Sequence, residues 1–233
     1  MTNSLVAIKK IPKKLTKSLK SRTRVLNEIK SLKILSNHKN VIKLYEVFED
    51  DSFIYLVTEY IENGDLLNYL MTNPLFPEST TRIIMLQIIF ALGYIHQNKI
   101  IHRDIKLNNI LVDNNFNVKV CDFGICSFMK SGKRIRDTGG TPAYLAPEII
   151  TENGEISEKS DVWSLGVMLY LLTFGVLPFY SKNISVLYRK IIRGKYEIQE
   201  KDEASKDLIE LIGKMLTVNT EDRISIEGIL RHQ

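Results

Sequence analysis

The chain has 233 residues, 44% of them hydrophobic, and a formal net charge of +5. This length and apolar content suffice for a large buried core, so we expect one large domain or two lobes. No stretch approaches the ~18 consecutive apolar residues of a membrane-spanning helix, and the N-terminus lacks the hydrophobic region of a signal peptide. We therefore expect an intracellular protein, cytoplasmic or nuclear, with no membrane span.

The two cysteines, Cys121 and Cys126, lie close together, and the rest of the chain has none. A disulfide framework is therefore not expected. The spacing matches neither a Cys-x-x-Cys motif nor a zinc site.

The positive charge is concentrated near the N-terminus. Between Lys9 and Lys33 there are ten basic residues and one acid, Glu28. This segment is either a solvated surface or a docking surface for acidic peptides or lipid headgroups. Aromatic residues do not alternate with these charges, so we do not expect nucleic-acid binding.

The first predicted elements are a short strand over residues 5–9 and a helix. In the helix, four apolar residues recur at helical spacing and form one face: Val25, Ile29, Leu32 and Leu35. Glu28 lies one turn before Leu32, so its carboxylate leans toward this face. A carboxylate beside a core needs a cation to offset its desolvation.

A hairpin and a long helix follow. Residues 41–48 and 53–60 are rich in β-branched and aromatic side chains, and a polar turn joins them. Residues 76–98 form the helix, with Pro77 near its first turn. Because this helix is apolar on most faces, we expect it to be buried.

Residues 101–109 are mostly polar and lie between two apolar runs. This pattern predicts a loop that the buried segments on either side hold in place. A second hairpin, with strands at 110–113 and 117–120, follows this loop. Because a hairpin returns the chain to its starting point, we expect Asp122 to lie close to Asn109.

These residues suit phosphoryl transfer, which requires an oriented hydroxyl and oxygen ligands for Mg²⁺. Asp104 and Asn109 fit the pattern His-Arg-Asp-x-x-x-x-Asn, and Asp122 begins Asp-Phe-Gly. Together and in this order, the motifs resemble those of the protein kinase family. The resemblance implies that Asp104 accepts the substrate proton. It also implies that Asn109 and Asp122 bind Mg²⁺ beside ATP.

Further catalytic roles follow from the same resemblance. Lys9, in the family's Val-Ala-Ile-Lys strand, would contact the ATP phosphates and pair with Glu28. Lys106 would contact the transferred phosphate. Lys106 and Thr141, which help to align Asp104 and the incoming hydroxyl, resemble serine/threonine kinases rather than tyrosine kinases.

The resemblance also defines a nucleotide pocket. Thr58 would lie at its back, and the backbone of residues 59–61 would form the hinge that meets adenine. The cofactor-binding residues implied in this way are Ala7, Lys9, Glu59, Ile61, Asp65, Lys106, Asn109, Leu111 and Asp122.

Asp65 has two interpretations. In the first it contacts either ribose or a basic substrate residue; in the second it caps the helix that follows it. Basophilic relatives carry acids at two further positions, which here are Asn108 and Leu171. We therefore expect a weak preference for a single basic residue in the substrate.

Residues 125–148 resemble an activation loop that ends in Ala-Pro-Glu. A phosphate on Thr138, with Ser131 as the second choice, would bind Arg103 and order the loop; the alternative is that Thr138 is only solvated. An upstream kinase is the implied partner. Glu148 is expected to pair with Arg223.

The remaining chain is predicted to be helical. A strongly apolar helix begins near residue 160 and ends at Gly175, and amphipathic helices follow at 184–193, 204–216 and 224–230. Asp161 would hydrogen-bond the backbone of the catalytic loop, cap its own helix, or do both.

The predicted fold is α+β, a bilobal kinase domain over residues 1–233, with a partial small sheet lobe and hinge at 1–61 and a mainly helical lobe at 62–233. Segments at 178–180 and 187–196 most resemble the calcium/calmodulin-dependent and AMP-activated group.

The family's glycine-rich loop and first two strands have no counterpart in this sequence. The chain is then either part of an active kinase or a weak or inactive relative that acts as a binding or regulatory module. We expect protein substrates, ATP, Mg²⁺ and a monomeric state.

Overall fold

The computed structural model describes residues 5–129, 135, 139–151, 155–199 and 204–232. Within these residues the fold is α+β, as predicted: a small antiparallel sheet precedes a mainly helical part. The described helices are α1 (Leu19–Leu35), α2 (Leu66–Thr72), α3 (Glu78–Gln97), α4 (Pro147–Ile150), α5 (Glu158–Phe174), α6 (Ile184–Arg193), α7 (Lys206–Met215) and α8 (Ile226–Arg231).

The sheet has the order β1-β3-β2, formed by β1 (Val6–Pro12), β2 (Leu44–Glu49) and β3 (Phe53–Glu59). Both pairings are antiparallel. Between β2 and β3, the Asp50 carboxylate accepts hydrogen bonds from two backbone amides of the turn. This Asx-type turn sets the hairpin, because it satisfies amides that the strands cannot pair.

The predicted start of the hairpin at residue 41 is wrong. Val41 and Ile42 are buried, but they join the helical part: Ile42 donates its amide to the carbonyl of Val120 at 2.9 Å. Asn40 in turn accepts from the amide of Val120 at 2.8 Å. Pairing with Val120 therefore removes these residues from the sheet.

Helix α1 begins at the N-cap Ser18, whose hydroxyl accepts from the amide of Ser21 at 3.1 Å. Its buried residues lie only in the C-terminal half, at Glu28, Ser31, Leu32 and Leu35. The N-terminal half therefore has little packing beneath it. The predicted apolar face is only partly covered, because Val25 and Ile29 are half-buried.

Helices α3 and α5 form the centre of the helical part. Thirteen of the 17 residues of α5 are buried, and no polar face interrupts them. The helix begins at a capping box of Ser157 and Ser160 and ends at Gly175, whose φ of 75° favours glycine. Such a helix is stable only inside a core, so α5 forms the support on which the neighbouring loops rest.

Two short ladders hold the polar loops over this core. Strand β4 (Ile100–Ile101) pairs with β7 (Ser127–Phe128), and β5 (Ile110–Val112) pairs with β6 (Val118–Val120). The predicted second hairpin is confirmed. Residues 102–109 and 121–126 thereby emerge side by side.

Candidate active site

The buried carboxylate of Asp161 anchors the loop at residues 102–109. It accepts hydrogen bonds from the backbone amides of His102 at 2.9 Å and Arg103 at 2.8 Å, and it lies 2.8 Å from Nε2 of His96. Burial raises the pKa of Asp161, but the hydrogen bond and charge of His96 outweigh it, aided by the charge of His102 and the Arg103 amide. The net pKa lies below its ordinary value, so the anion is the stable form.

The predicted bond from Asp161 to the loop backbone is confirmed, whereas the capping alternative is wrong. The N-cap of α5 is Ser157, and Asp161 lies four positions further along the helix. Sequence analysis did not single out His96. The only signal was a histidine in the last turn of a buried helix, which alone does not indicate a partner.

Asp104 lies at the centre of a bonded cluster. Its Oδ1 accepts from the hydroxyl of Thr141 at 2.8 Å, and its Oδ2 lies 2.7 Å from Nζ of Lys106. Lys106 also donates to the Thr141 hydroxyl at 2.8 Å. The side-chain nitrogen of Asn109, Nδ2, donates to the backbone carbonyl of Asp104 at 2.8 Å. These contacts hold the Asp104 carboxylate and the Lys106 ammonium in fixed positions beside each other.

A second cluster joins β1, α1 and the loop after β6. Nζ of Lys9 lies 2.5 Å from Oε1 of Glu28 and 3.1 Å from Oδ1 of Asp122. The predicted ion pair between Lys9 and Glu28 is present. Burial lowers the pKa of Lys9, but the charges of Glu28 and Asp122 and the hydrogen bonds to them together outweigh it, so the net pKa lies above its ordinary value.

Asp122 has a φ of 61°, in the left-handed region, which turns the chain sharply after β6. Burial raises the pKa of this carboxyl group, but the charge and hydrogen bond of Lys9, the charge of His102 and the hydrogen bond from the Gly124 amide together lower it below its ordinary value. Asp122 is therefore ionised at neutral pH and available to a cation.

Asn109 and Asp122 form a donor set suited to Mg²⁺. The amide nitrogen of Asn109 is bonded to Asp104, so the oxygen of this planar group is the atom that remains for a metal. One carboxylate and one amide oxygen, completed by water and phosphate oxygens, match the ligands that Mg²⁺ prefers.

The hinge residues have partly engaged backbones. The amide of Glu59 donates to the carbonyl of Lys43, and the carbonyl of Ile61 accepts from the amide of Gly64. The Glu59 side chain accepts from the Lys43 amide at 2.6 Å and pairs with Lys119 at 2.9 Å. The carbonyl of Glu59 accepts a long bond of 3.3 Å from the Thr58 hydroxyl and keeps a second lone pair. This carbonyl and the amide of Ile61 are the hinge groups suited to a ligand.

The other predicted pocket residues lie on strands beside the hinge. Ala7 is opposite Thr58 in the β1–β3 ladder, and Leu111 forms a bridge with Asp65. The capping interpretation of Asp65 is confirmed: its carboxylate accepts from the backbone amide and the side-chain nitrogen of Asn68, at 2.9 and 2.7 Å.

Glu148 pairs with Arg223, as predicted. The two oxygens of Glu148 lie 2.8 and 2.9 Å from the two guanidinium nitrogens of Arg223, which is 1% exposed. Ser160, in the first turn of α5, also donates to Glu148 at 2.8 Å. Glu148 is thus tied to both α5 and the segment before α8.

Arg103 is buried and donates to the hydroxyl of Ser127 at 3.0 Å, a contact that sequence analysis missed. The predicted phosphorylation residues, Thr138 and Ser131, lie outside the described residues. Four basic residues of the same loop also lie outside them: Lys130, Lys133, Arg134 and Arg136.

The cysteines are free thiols, as expected. Burial raises the pKa of Cys121 to about 12 and that of Cys126 to about 11, so both remain protonated at neutral pH. Among the helices in the described ranges, none has the length and apolar character needed to cross a bilayer.

The family model described as the protein kinase domain matches residues 1–233. The chain is 40% identical to maternal embryonic leucine zipper kinase of Danio rerio over 234 residues, which cover 100% of this chain and 34% of that protein. The Xenopus tropicalis protein of the same name is 40% identical over 211 residues, 90% of this chain and 32% of that one.

Serine/threonine-protein kinase SIK1 of Mus musculus is 38% identical over 233 residues, which cover 100% of this chain and 29% of the relative. The chain thus spans about a third of the length of the curated relatives that it matches.

Proposed function

The chain belongs to the protein kinase domain family, and we propose that it transfers the γ-phosphoryl group of ATP to serine or threonine hydroxyls of protein substrates. The observation that carries this proposal is the bonded cluster of Asp104, Lys106 and Thr141. It presents a proton acceptor and a cation side by side, which is the arrangement that phosphoryl transfer to an alcohol requires.

In the proposed reaction, the substrate hydroxyl oxygen bonds to the γ-phosphorus while the bond from that phosphorus to the β–γ bridging oxygen breaks. ADP leaves, and the hydroxyl proton passes to Asp104. Lys106 stabilises the negative charge on the transferred phosphoryl group. Lys9, oriented by Glu28, binds the α- and β-phosphates.

Mg²⁺ would neutralise phosphate charge beside these residues. Asn109 and Asp122 would hold it through their side-chain oxygens, which fit the preferences of a hard cation. The downward shift in the pKa of Asp122 supports this role, because a metal ligand must be ionised.

The proposed adenine site lies at the hinge, with the carbonyl of Glu59 and the amide of Ile61 as hydrogen-bonding groups. Ala7 and Leu111 supply apolar contacts to the base. Asp65 would bind ribose. We further propose the division into a sheet lobe with hinge at 1–61 and a helical lobe at 62–233.

Substrate choice follows from the few acids in the proposed cleft. Asp65 is the acid proposed to attract a basic substrate residue, and hydrogen bonds from Asn68 to both of its oxygens hold it at the helix cap. The two positions at which basophilic relatives carry further acids are Asn108 and Leu171 in this chain, and neither is acidic. We therefore propose a weak preference for one basic residue and no dibasic requirement.

Regulation by an upstream kinase is part of the proposal. Arg103 precedes Asp104 directly and is held beside the activation segment by Ser127. A phosphate on Thr138 would reach this guanidinium and order the loop around Asp122. We place the protein inside the cell, where ATP is available and free thiols persist.

A peptide array phosphorylated with radiolabelled ATP tests the proposal. We expect label on serine and threonine, none on tyrosine, and at most about a threefold preference for a single upstream arginine, because one shared carboxylate contributes little. Labelled tyrosine would contradict the assignment of Thr141 and Lys106, and a strict dibasic requirement would contradict the proposed cleft.

A further inference from the structure

Helix α1 makes a buried polar contact with the segment 122–128, apart from the ion pairs of Lys9. The hydroxyl oxygen of Ser31 lies 3.0 Å from the sulfur of Cys126, and either atom can donate the hydrogen bond. Ser31 is 0% exposed and Cys126 is 3% exposed. The proposed phosphoryl transfer uses neither side chain, so this contact needs an explanation of its own.

The contact joins the two parts of the chain that carry Glu28 and Asp122. Ser31 follows Glu28 by three positions, so both side chains lie on the same face of α1. Cys126 follows Asp122 by four positions. The hydrogen bond therefore links the same two segments as the cluster around Lys9.

Two further contacts show that α1 packs closely on this segment. The ammonium of Lys30 lies over the ring of Phe128, 4.5 Å from its centroid. A Cβ built at Gly124 would lie 3.7 Å from Oε2 of Glu28, which is van der Waals contact. Ser31 is one of the four buried residues of α1, all of which lie in its C-terminal half. Few contacts thus hold the helix in place, and this one is both buried and directional.

The two partners depend on the bond unequally. Among the residues that the structure describes, Cys126 is the one partner of the Ser31 hydroxyl. A buried hydroxyl without a partner carries the full cost of its desolvation. A buried thiol behaves as a small apolar side chain and tolerates the loss of a weak bond. Burial also raises the pKa of Cys126 to about 11, so the sulfur keeps its proton at neutral pH.

We infer that Ser31 and Cys126 are positioning residues, whose hydrogen bond holds α1 against the segment 122–128 and keeps Glu28 within reach of Lys9. When α1 moves away from this segment, water replaces the thiol as the partner of Ser31. Loss of the thiol therefore penalises only the docked position of the helix. The catalytic meaning of the contact rests on the proposed function, in which Glu28 orients Lys9 on the ATP phosphates.

Hydrogen exchange without nucleotide tests the inference, because exchange of the α1 amides reports how often this helix opens. Cys126→Ala should accelerate exchange over residues 28–35 by about tenfold or more, since it leaves the Ser31 hydroxyl buried and unpaired. Cys126→Ser, which restores a hydroxyl partner, should stay within about threefold of wild type. So should Ser31→Ala and the double variant Ser31→Ala/Cys126→Ala, because neither leaves a hydroxyl unpaired.

Gly166→Ala is the matched control for a general loss of stability. Its new Cβ would lie 2.8 Å from Cβ of Met215, in the packing of α5 against α7. Urea unfolding measures the stability of every variant. We expect Gly166→Ala to change exchange in α1 by no more than about twofold, because it does not favour the displaced helix over the docked one.

Three results would overturn the inference. Exchange in Cys126→Ala within about twofold of wild type would mean that Ser31 has turned its hydroxyl to the carbonyl of Asn27, one turn back. A double variant as fast as Cys126→Ala would mean that a cavity, rather than the unpaired hydroxyl, frees the helix. Equal acceleration in Gly166→Ala would mean that α1 opens only with the whole fold.

Nucleotide binding relates the contact to the reaction. Cys126→Ala is expected to weaken the affinity for a fluorescent ATP analogue with Mg²⁺ by about threefold or more, because only the docked α1 brings Glu28 to Lys9. Cys126→Ser and the double variant should recover this affinity. Wild-type affinity in Cys126→Ala would overturn the role in positioning the ion pair. A wild-type chain that binds no nucleotide would contradict the proposed function instead, and the exchange measurements would still decide the inference.

Discussion

At the scale of single residues, the site depends on charges that offset one another. Lys9 bonds to Glu28 and Asp122, and Asp161 bonds to His96 and two backbone amides. Glu28 and Asp161 are buried carboxylates, and a buried charge is costly alone and becomes stable through its partners. Removing one partner should therefore change the protonation of the others in a calculable direction.

Replacing Lys9 by methionine should raise the pKa of Asp122. The substitution removes the cation that lowers this pKa and keeps the burial that raises it. Carboxyl carbon NMR, assigned with an Asp122→Asn variant, measures the change. Lys10→Met is the matched control, because the Lys10 ammonium lies over the ring of Phe53, 3.8 Å from its centroid. Equal shifts in both variants would contradict the assigned pairing.

Asp161 should stabilise the fold in a pH-dependent way. Its folded pKa is below the ordinary value, so its contribution is full above the unfolded pKa of about 3.9 and is lost as the pH falls through the folded pKa. Urea unfolding of wild type and Asp161→Asn from about pH 7 to about pH 3 should show a stability difference that shrinks only below pH ~4. A difference that grows in acid would contradict this ionisation.

At the scale of elements, the close approach of α5 and α7 depends on Gly166. A Cβ built at Gly166 would lie 2.8 Å from Cβ of Met215 and 3.0 Å from a methyl carbon of Leu216. The Met215 atom is tied to its backbone and cannot rotate away. The helices must therefore separate to admit even one methyl group.

Gly166→Ala should lower the free energy of unfolding by up to about 2 kcal/mol, since overpacking costs ~1–3 kcal/mol and helix propensity returns ~1 kcal/mol. Gly213→Ala in α7 is the matched control, because its Cβ would meet only the Tyr196 hydroxyl at 3.9 Å. That variant should equal or exceed wild type in urea unfolding. A stable Gly166→Ala variant would contradict the tight packing.

At the scale of the whole molecule, motif residues were predictable because each carries its own chemistry. The pairs Lys9–Glu28 and Glu148–Arg223 are present as the resemblance implied. Partners without a local pattern were missed, such as His96 for Asp161 and Ser127 for Arg103. Tertiary packing brings these partners together, and the spacing of residues along one helix or strand does not reveal which elements will pack against each other.

Element boundaries failed for the same reason. The apolar run at 41–48 looks continuous in sequence. However, Val41 and Ile42 pair with Val120 of β6, and β2 begins only at Leu44. Similarly, Asp161 has the residue type and position of a helix cap, but Ser157 begins the helix earlier. Competing partners elsewhere in the fold decided both cases.

The central claim is that this chain transfers phosphate and that Asp104 accepts the proton. The most direct measurement compares wild type and Asp104→Asn in two assays, phosphorylation of a serine peptide and binding of a fluorescent ATP analogue with Mg²⁺. We predict that wild type transfers phosphate and that the variant loses about 10²-fold or more of this rate. We also predict that its nucleotide affinity stays within about twofold. A wild-type chain that binds Mg-ATP without transferring phosphate, or an Asp104→Asn variant that remains as active as wild type, would contradict the account.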